Sequence, residues 1–203
     1  LLAAAWYLLG DCKVHGANVR EPQRGAGQQI LHSDVTRLPD GGWRVINALI
    51  LLDDMTLENG PTRVVPGSHN WPAINVPGEN VIKEATGALM SSPNKTEDWA
   101  VEGKETSNQD VVESGIGQDG ITPESPFAPY PGEELLTAPT GTVIVTNGHL
   151  WHSGTRNLSG ARRRMLHLSY TPRGQPQQFD QRTNLTPTLY ERMNAVSRYL
   201  LGI

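Results

Sequence analysis

Residues 141–171 read GTVIVTNGHLWHSGTRNLSGARRRMLHLSYT. Two runs rich in apolar and β-branched residues, Thr142–Asn147 and Arg162–Thr171, enclose a Gly-, Ser- and Asn-rich stretch that carries His149 and His152. Such runs, bounded by turn residues, read as strands. The same texture recurs toward the N-terminus at Lys13–Arg20, Gln28–Val35, Trp43–Leu52 and Thr62–Pro66, and again at Glu133–Thr137. Asp40-Gly41-Gly42 and Glu58-Asn59-Gly60-Pro61 are turn signals between runs, so the first half is expected to form an antiparallel meander. A meander must close into a barrel or sandwich to protect its edges.

Only the ends look helical. Residues 1–9 (LLAAAWYLL) form one short candidate, and Leu185–Ile203 follows a Thr-Pro start signal with apolar residues at near-helical spacing. The 21 glycines and 15 prolines favour many short strands over a helical bundle, and 203 residues suit one sizeable core. The expected class is mainly β with flanking helices, in a single domain over residues 1–203.

A net charge of -4 gives no basic face for phosphates, which argues against nucleic acid as a partner. The lone Cys12 excludes an internal disulfide and a thiolate zinc cluster, and points to an intracellular, cytoplasmic protein. The apolar opening is too short to span a bilayer and lacks the features of a secretory signal, so no membrane association is expected. Beginning inside a helix-like run without methionine, the chain reads as N-terminally truncated. Residues 79–126 hold ten acidic residues against Lys83, Lys95 and Lys104 and have few apolar ones, which suggests a polar insertion or a lid between two strands.

Three constellations carry chemistry. His32-Ser33-Asp34 closes an apolar run, and on a strand His32 and Asp34 share a face and can grip one ion. A second imidazole from His152, or from the competing His149, completes two histidines and one carboxylate. That set leaves coordination positions open for a bidentate co-substrate and dioxygen, which suits non-haem iron(II). In Arg162-Arg163-Arg164, strand alternation sends Arg163 to the face opposite its neighbours, where its planar fork could clamp a dicarboxylate. His167 reads as a core or near-site histidine.

His32-Ser33-Asp34, Leu57–His69 (LENGPTRVVPGSH), Gly141–Val145 and His152–Asn157 (HSGTRN), with Arg163, resemble the phytanoyl-CoA dioxygenase family in order, spacing and flanks. The resemblance covers about residues 10–78 and 130–203. It implies a double-stranded β-helix, a cupin-like jelly roll, with iron(II) on His32, Asp34 and His152. It also places Arg163 on the far carboxylate of 2-oxoglutarate, with Gln28, Gln29, Asn47 and Thr62 as further candidates for contact with the co-substrate. The implied activity is hydroxylation of a small organic substrate with O2 and release of succinate and CO2. The carboxylate of Asp34 argues against the related halogenation. An acidic insertion favours a smaller or neutral substrate over a CoA ester. The alternatives are a jelly roll that binds metal or ligand without turnover, and a zinc hydrolase or isomerase on the same barrel. Oligomeric state is undetermined.

Overall fold

The computed structural model describes residues 1–77 and 119–203, so most of the acidic stretch expected as an insertion or lid lies outside the described residues. Within them run seven strands: β1 (Cys12–Arg20), β2 (Ile46–Leu51), β3 (Thr62–Val64), β4 (Glu134–Leu135), β5 (Val143–Asn147), β6 (His152–Gly154) and β7 (Met165–Pro172). Helices α1 (Leu2–Leu9), α2 (Pro187–Arg192) and α3 (Ala195–Leu201) flank them. The Thr186 side chain accepts from Leu189 N–H at the start of α2, and Asn194 accepts from Ser197 N–H at the start of α3. These caps satisfy backbone donors that the first turn leaves orphaned. None of the described helices is long and apolar enough to cross a membrane.

Four strands form one sheet in the order β1-β7-β2-β5, and three form a second in the order β4-β3-β6. Every pairing is antiparallel. This is the mainly β, double-stranded β-helix architecture with flanking helices. The expected meander is not there, because in the larger sheet no two consecutive strands are neighbours. The turn signals do reverse the chain, but they hand it from one sheet to the other. The loop from Leu52 to Pro61 shows how: Asn59 accepts from Thr56 N–H and donates to the carbonyls of Asp54 and Arg162. Gly60 follows at φ 85°, where an added Cβ would lie 2.9 Å from the Thr155 carbonyl oxygen. Only glycine meets both demands.

Several expected strands are shorter than their sequence texture; Thr62–Pro66 ends at Val64 and Glu133–Thr137 keeps only Glu134–Leu135. Gln28–Val35 makes only an isolated bridge, His32 with His152. The run beginning at Trp43 becomes a strand at Ile46, and Arg162–Arg164 precede β7 without belonging to it. Conversely, His152–Gly154 is a strand that its Gly- and Ser-rich composition concealed. β propensity reports fit to a pleated, half-buried surface, and here the pairing partner decides it.

Alternation along β7 divides the molecule. Tyr170, with Ala5, Cys12 and Val14, packs under α1 and Leu201 of α3. Met165, His167 and Ser169 face inward with Asn47 and Leu49 of β2 and line a cavity. Below it Leu49, Leu51, Met55 and Met165 form a second apolar cluster, and Leu31, Val65, Tyr130 and Trp151 a third.

Candidate metal centre and cavity

The bridge between His32 and His152 builds the centre. Each residue's N–H donates to the other's carbonyl, at 3.0 and 2.9 Å, so the two side chains stand opposite each other on one face. Asp34 is fixed two residues on, where its N–H donates to the Gly148 carbonyl at 2.9 Å. Trp151 anchors the other arm: its N–H donates to Ser68 Oγ and its indole N–H to the Pro72 carbonyl.

The imidazole rings lie 4.5 Å apart between centroids. His32 Nε2 is 3.6 Å from Asp34 Oδ1, and His152 Nε2 is 3.6 Å from Oδ2. One donor atom from each of the three residues falls within 4.8 Å of the others. Both Nδ1 atoms sit 2.8 Å from backbone carbonyls, Ile30 for His32 and Leu150 for His152. A carbonyl can only accept, so each Nδ1 carries the proton and each Nε2 presents a lone pair toward the carboxylate. Burial lowers the His152 pKa and His32 adds to the effect, which favours the neutral ring a metal requires. At Asp34 burial works to raise the pKa, but the neighbouring imidazoles of His152, His32 and His167 act the other way and outweigh it. Its carboxyl is held well below the usual carboxylate range. Two neutral imidazoles and one ionised carboxylate could hold a divalent metal ion.

The surrounding cavity, about 1020 Å³, also admits Arg163, His167, Gln29, Asn47 and Thr62. Arg163 is 3% exposed, its Nη1 donates to Met165 Sδ, and its Nε has no hydrogen-bond partner among the described residues. Burial lowers its pKa to about 10, with Arg20 contributing. Its neighbours do not line the cavity and are engaged by carboxylates, Arg162 with Glu21 and Arg164 with Asp53. Asn47 Nδ2 donates to Asp34 Oδ2, so it orients the carboxylate. Gln29 Oε1 accepts from Gly154 N–H and is committed to β6. Gln28 does not line the cavity, in contrast to its expected place beside the co-substrate. Thr62 is buried on the cavity wall. Sequence reasoning passed over Arg20, whose place on an expected strand, in phase with Asn18, was the signal available.

His149 is turned away from the centre, and its Nε2 accepts from Arg44 N–H at 3.3 Å. Burial, with Arg37 and Arg44, lowers its pKa to about 4. The folded state binds this proton more weakly than the unfolded chain, whose histidine titrates near 6.5. Stability from the neutral ring is therefore complete above about pH 6.5 and is lost as pH falls toward 4. Urea unfolding at pH 7 and 4.5 is expected to show on the order of 2 kcal/mol less pH dependence in His149→Gln than in the parent.

The family model described as phytanoyl-CoA dioxygenase (PhyH) matches residues 9–165. The L-proline trans-4-hydroxylase of Streptomyces griseoviridis is 28% identical over 142 residues, which are 68% of this chain and 43% of that protein. The chain thus spans less than half the length of this curated relative. The solved structure of AviO1 from Streptomyces viridochromogenes Tue57 superposes with a TM-score of 0.51 at 18% identity, over 86% of this chain and 57% of the other. HygX from Streptomyces hygroscopicus, solved with nickel, 2-oxoglutarate and hygromycin B bound, superposes with a TM-score of 0.50 at 18% identity, over 87% and 63% of the two chains. At these identities the two superpositions establish the shared fold.

Proposed function

The chain belongs to the phytanoyl-CoA dioxygenase family, and from that premise we propose that it is an iron(II)- and 2-oxoglutarate-dependent dioxygenase, a single jelly-roll oxygenase domain that hydroxylates a small organic molecule. The observation that carries this is the donor set: Nε2 of His32, Nε2 of His152 and the Asp34 carboxylate converge within 4.8 Å, with both rings locked in the metal-binding tautomer. These three residues would hold the iron. Bound there with 2-oxoglutarate and O2, iron supplies an oxidant that converts a C–H bond to C–OH, while 2-oxoglutarate leaves as succinate and CO2.

The chain's own residues position and insulate. Asn47 fixes the Asp34 carboxylate, and the Ile30 and Leu150 carbonyls fix the two rings. Arg163, buried with an unsatisfied Nε, suits the far carboxylate of 2-oxoglutarate, which needs a partner in a dry wall. Thr62 on the same wall offers a hydroxyl to the co-substrate, and Gln29 supports it through β6. Leu49, Val64 and Met165 exclude water between these polar groups. A buried, unpaired Cys12 thiol suits a reducing compartment such as the cytoplasm.

Succinate formation from 2-oxoglutarate in the presence of iron(II) and O2 tests the activity. Metal binding with no succinate under any substrate supplied would support the non-catalytic jelly roll instead. Arg163→Ala is expected to weaken 2-oxoglutarate binding by about 2–5 kcal/mol, measured by calorimetry on the nickel-loaded protein. Arg162→Ala and Arg164→Ala leave it unchanged, since those guanidiniums are engaged by Glu21 and Asp53.

A further inference from the structure

A second guanidinium shares the cavity with Arg163. Arg20 ends β1 opposite Met165, in phase with Asn18, and like both of them it lines the cavity. Its guanidinium forms no hydrogen bond or ion pair with any described residue. Burial lowers its pKa, and the charge of Asp34 opposes that. Asp34 also acts on His167 and His15, whereas the charge that acts on Arg163 is that of Arg20. Arg20 therefore lines the same cavity as Arg163 and the metal centre, where a substrate would also have to lie.

The charge balance of the wall is one-sided. Its carboxylates among the described residues are Asp34 and Glu21, and Glu21 is paired with Arg162. Against them stand Arg20, Arg44 and Arg163. Iron(II), the Asp34 carboxylate, dianionic 2-oxoglutarate and Arg163 neutralise one another, which leaves Arg20 and Arg44 uncompensated. A cation in a half-buried wall without a counter-charge is costly, and an anionic ligand removes that cost. The acidic balance of residues 79–126 favours a neutral substrate, but the described wall points the other way.

We infer that Arg20 is a substrate-binding residue that receives a carboxylate, so that the small organic substrate is an acid. This rests on the oxygenase assignment above. A cavity of about 1020 Å³ has room for 2-oxoglutarate and a second molecule of similar size. The Arg20 fork would hold the substrate by its acid group and present a C–H bond to the metal side.

The test uses matched probes, hexanoate with hexanamide, cyclohexanecarboxylate with its amide, and N-acetyl-L-proline with its amide, titrated calorimetrically into the nickel- and 2-oxoglutarate-loaded protein. At least one acid should bind about tenfold or more tightly than its amide. Arg20→Gln should erase that preference while 2-oxoglutarate still binds, and Arg20→Lys should restore part of it. No acid-over-amide preference in any pair, or a preference that survives Arg20→Gln, overturns the inference. Loss of 2-oxoglutarate binding in Arg20→Gln, matching that of Arg163→Ala, also overturns it by assigning Arg20 to the co-substrate. A melting temperature well below the parent's would overturn it too, because an unpartnered guanidinium should not support the fold. Failure of the parent to bind 2-oxoglutarate is a different result, which removes the oxygenase assignment itself.

Discussion

Asp34→Ala is expected to lose metal affinity by more than the roughly 10- to 100-fold that typically follows loss of a supporting partner, because it removes a ligand itself. Asp34 supplies the negative charge of the centre, and its two oxygens lie 3.6 Å from Nε2 of His32 and of His152. Without it, two neutral imidazoles face the metal alone and the Asn47 amide points its N–H into the site. A donor aimed at a cation repels it. Asp34→Asn keeps the shape, and its loss should approach that of alanine because charge is what the site needs. Equilibrium dialysis against iron(II) under anaerobic conditions, or against nickel(II), reads the effect. An affinity within about tenfold of the parent would mean that the ion sits elsewhere.

Arg63→Ala is expected to lower unfolding free energy by about 3–5 kcal/mol, read by urea denaturation. Arg63 is the middle residue of β3, and its guanidinium joins four partners: Ser153 Oγ at 2.5 Å, the Ala128 carbonyl at 2.6 Å, the Pro126 carbonyl at 2.8 Å and Glu133 Oε2 at 3.1 Å. Truncation leaves Glu133, 16% exposed, without its counter-charge, and removes the guanidinium donors from the Ala128 and Pro126 carbonyls. The damage also runs toward the metal centre, since the Pro126 carbonyl accepts from Leu31 N–H, next to His32. Metal affinity should therefore fall along with stability, though by less than in Asp34→Ala. A stability loss under about 1 kcal/mol would show that this buried network contributes little.

The convergence of His32, Asp34 and His152 was legible because their geometry is local. His32 and Asp34 are two apart, and the Ser- and Gly-rich block around His152 carries its own flanks. Arg163 was legible through parity, yet the segment holding it is an extended lead into β7 and not strand. An extended backbone alternates its side chains whether or not it is hydrogen-bonded in a sheet, so the inward position came out despite the wrong element. Strand order was not legible. The hydrogen-bond partners of β7 are β1 and β2, and no local pattern announces a pairing across most of the chain. Gln28 was misplaced because two adjacent glutamines look equivalent in sequence, while backbone pairing turns Gln29 toward Gly154. Arg20 was overlooked because an arginine at the end of an apolar run ordinarily faces water. Its burial is decided by β7 and by the cavity beyond it.

Anaerobic titration of the protein with iron(II) and 2-oxoglutarate, followed in the visible spectrum, tests the central claim most directly. A metal-to-ligand charge-transfer band should appear only when both are present, saturate at one iron per chain, and vanish in Asp34→Ala. A folded protein that gives no band at saturating iron(II) and 2-oxoglutarate would contradict the assignment of His32, Asp34 and His152 as an oxygenase centre.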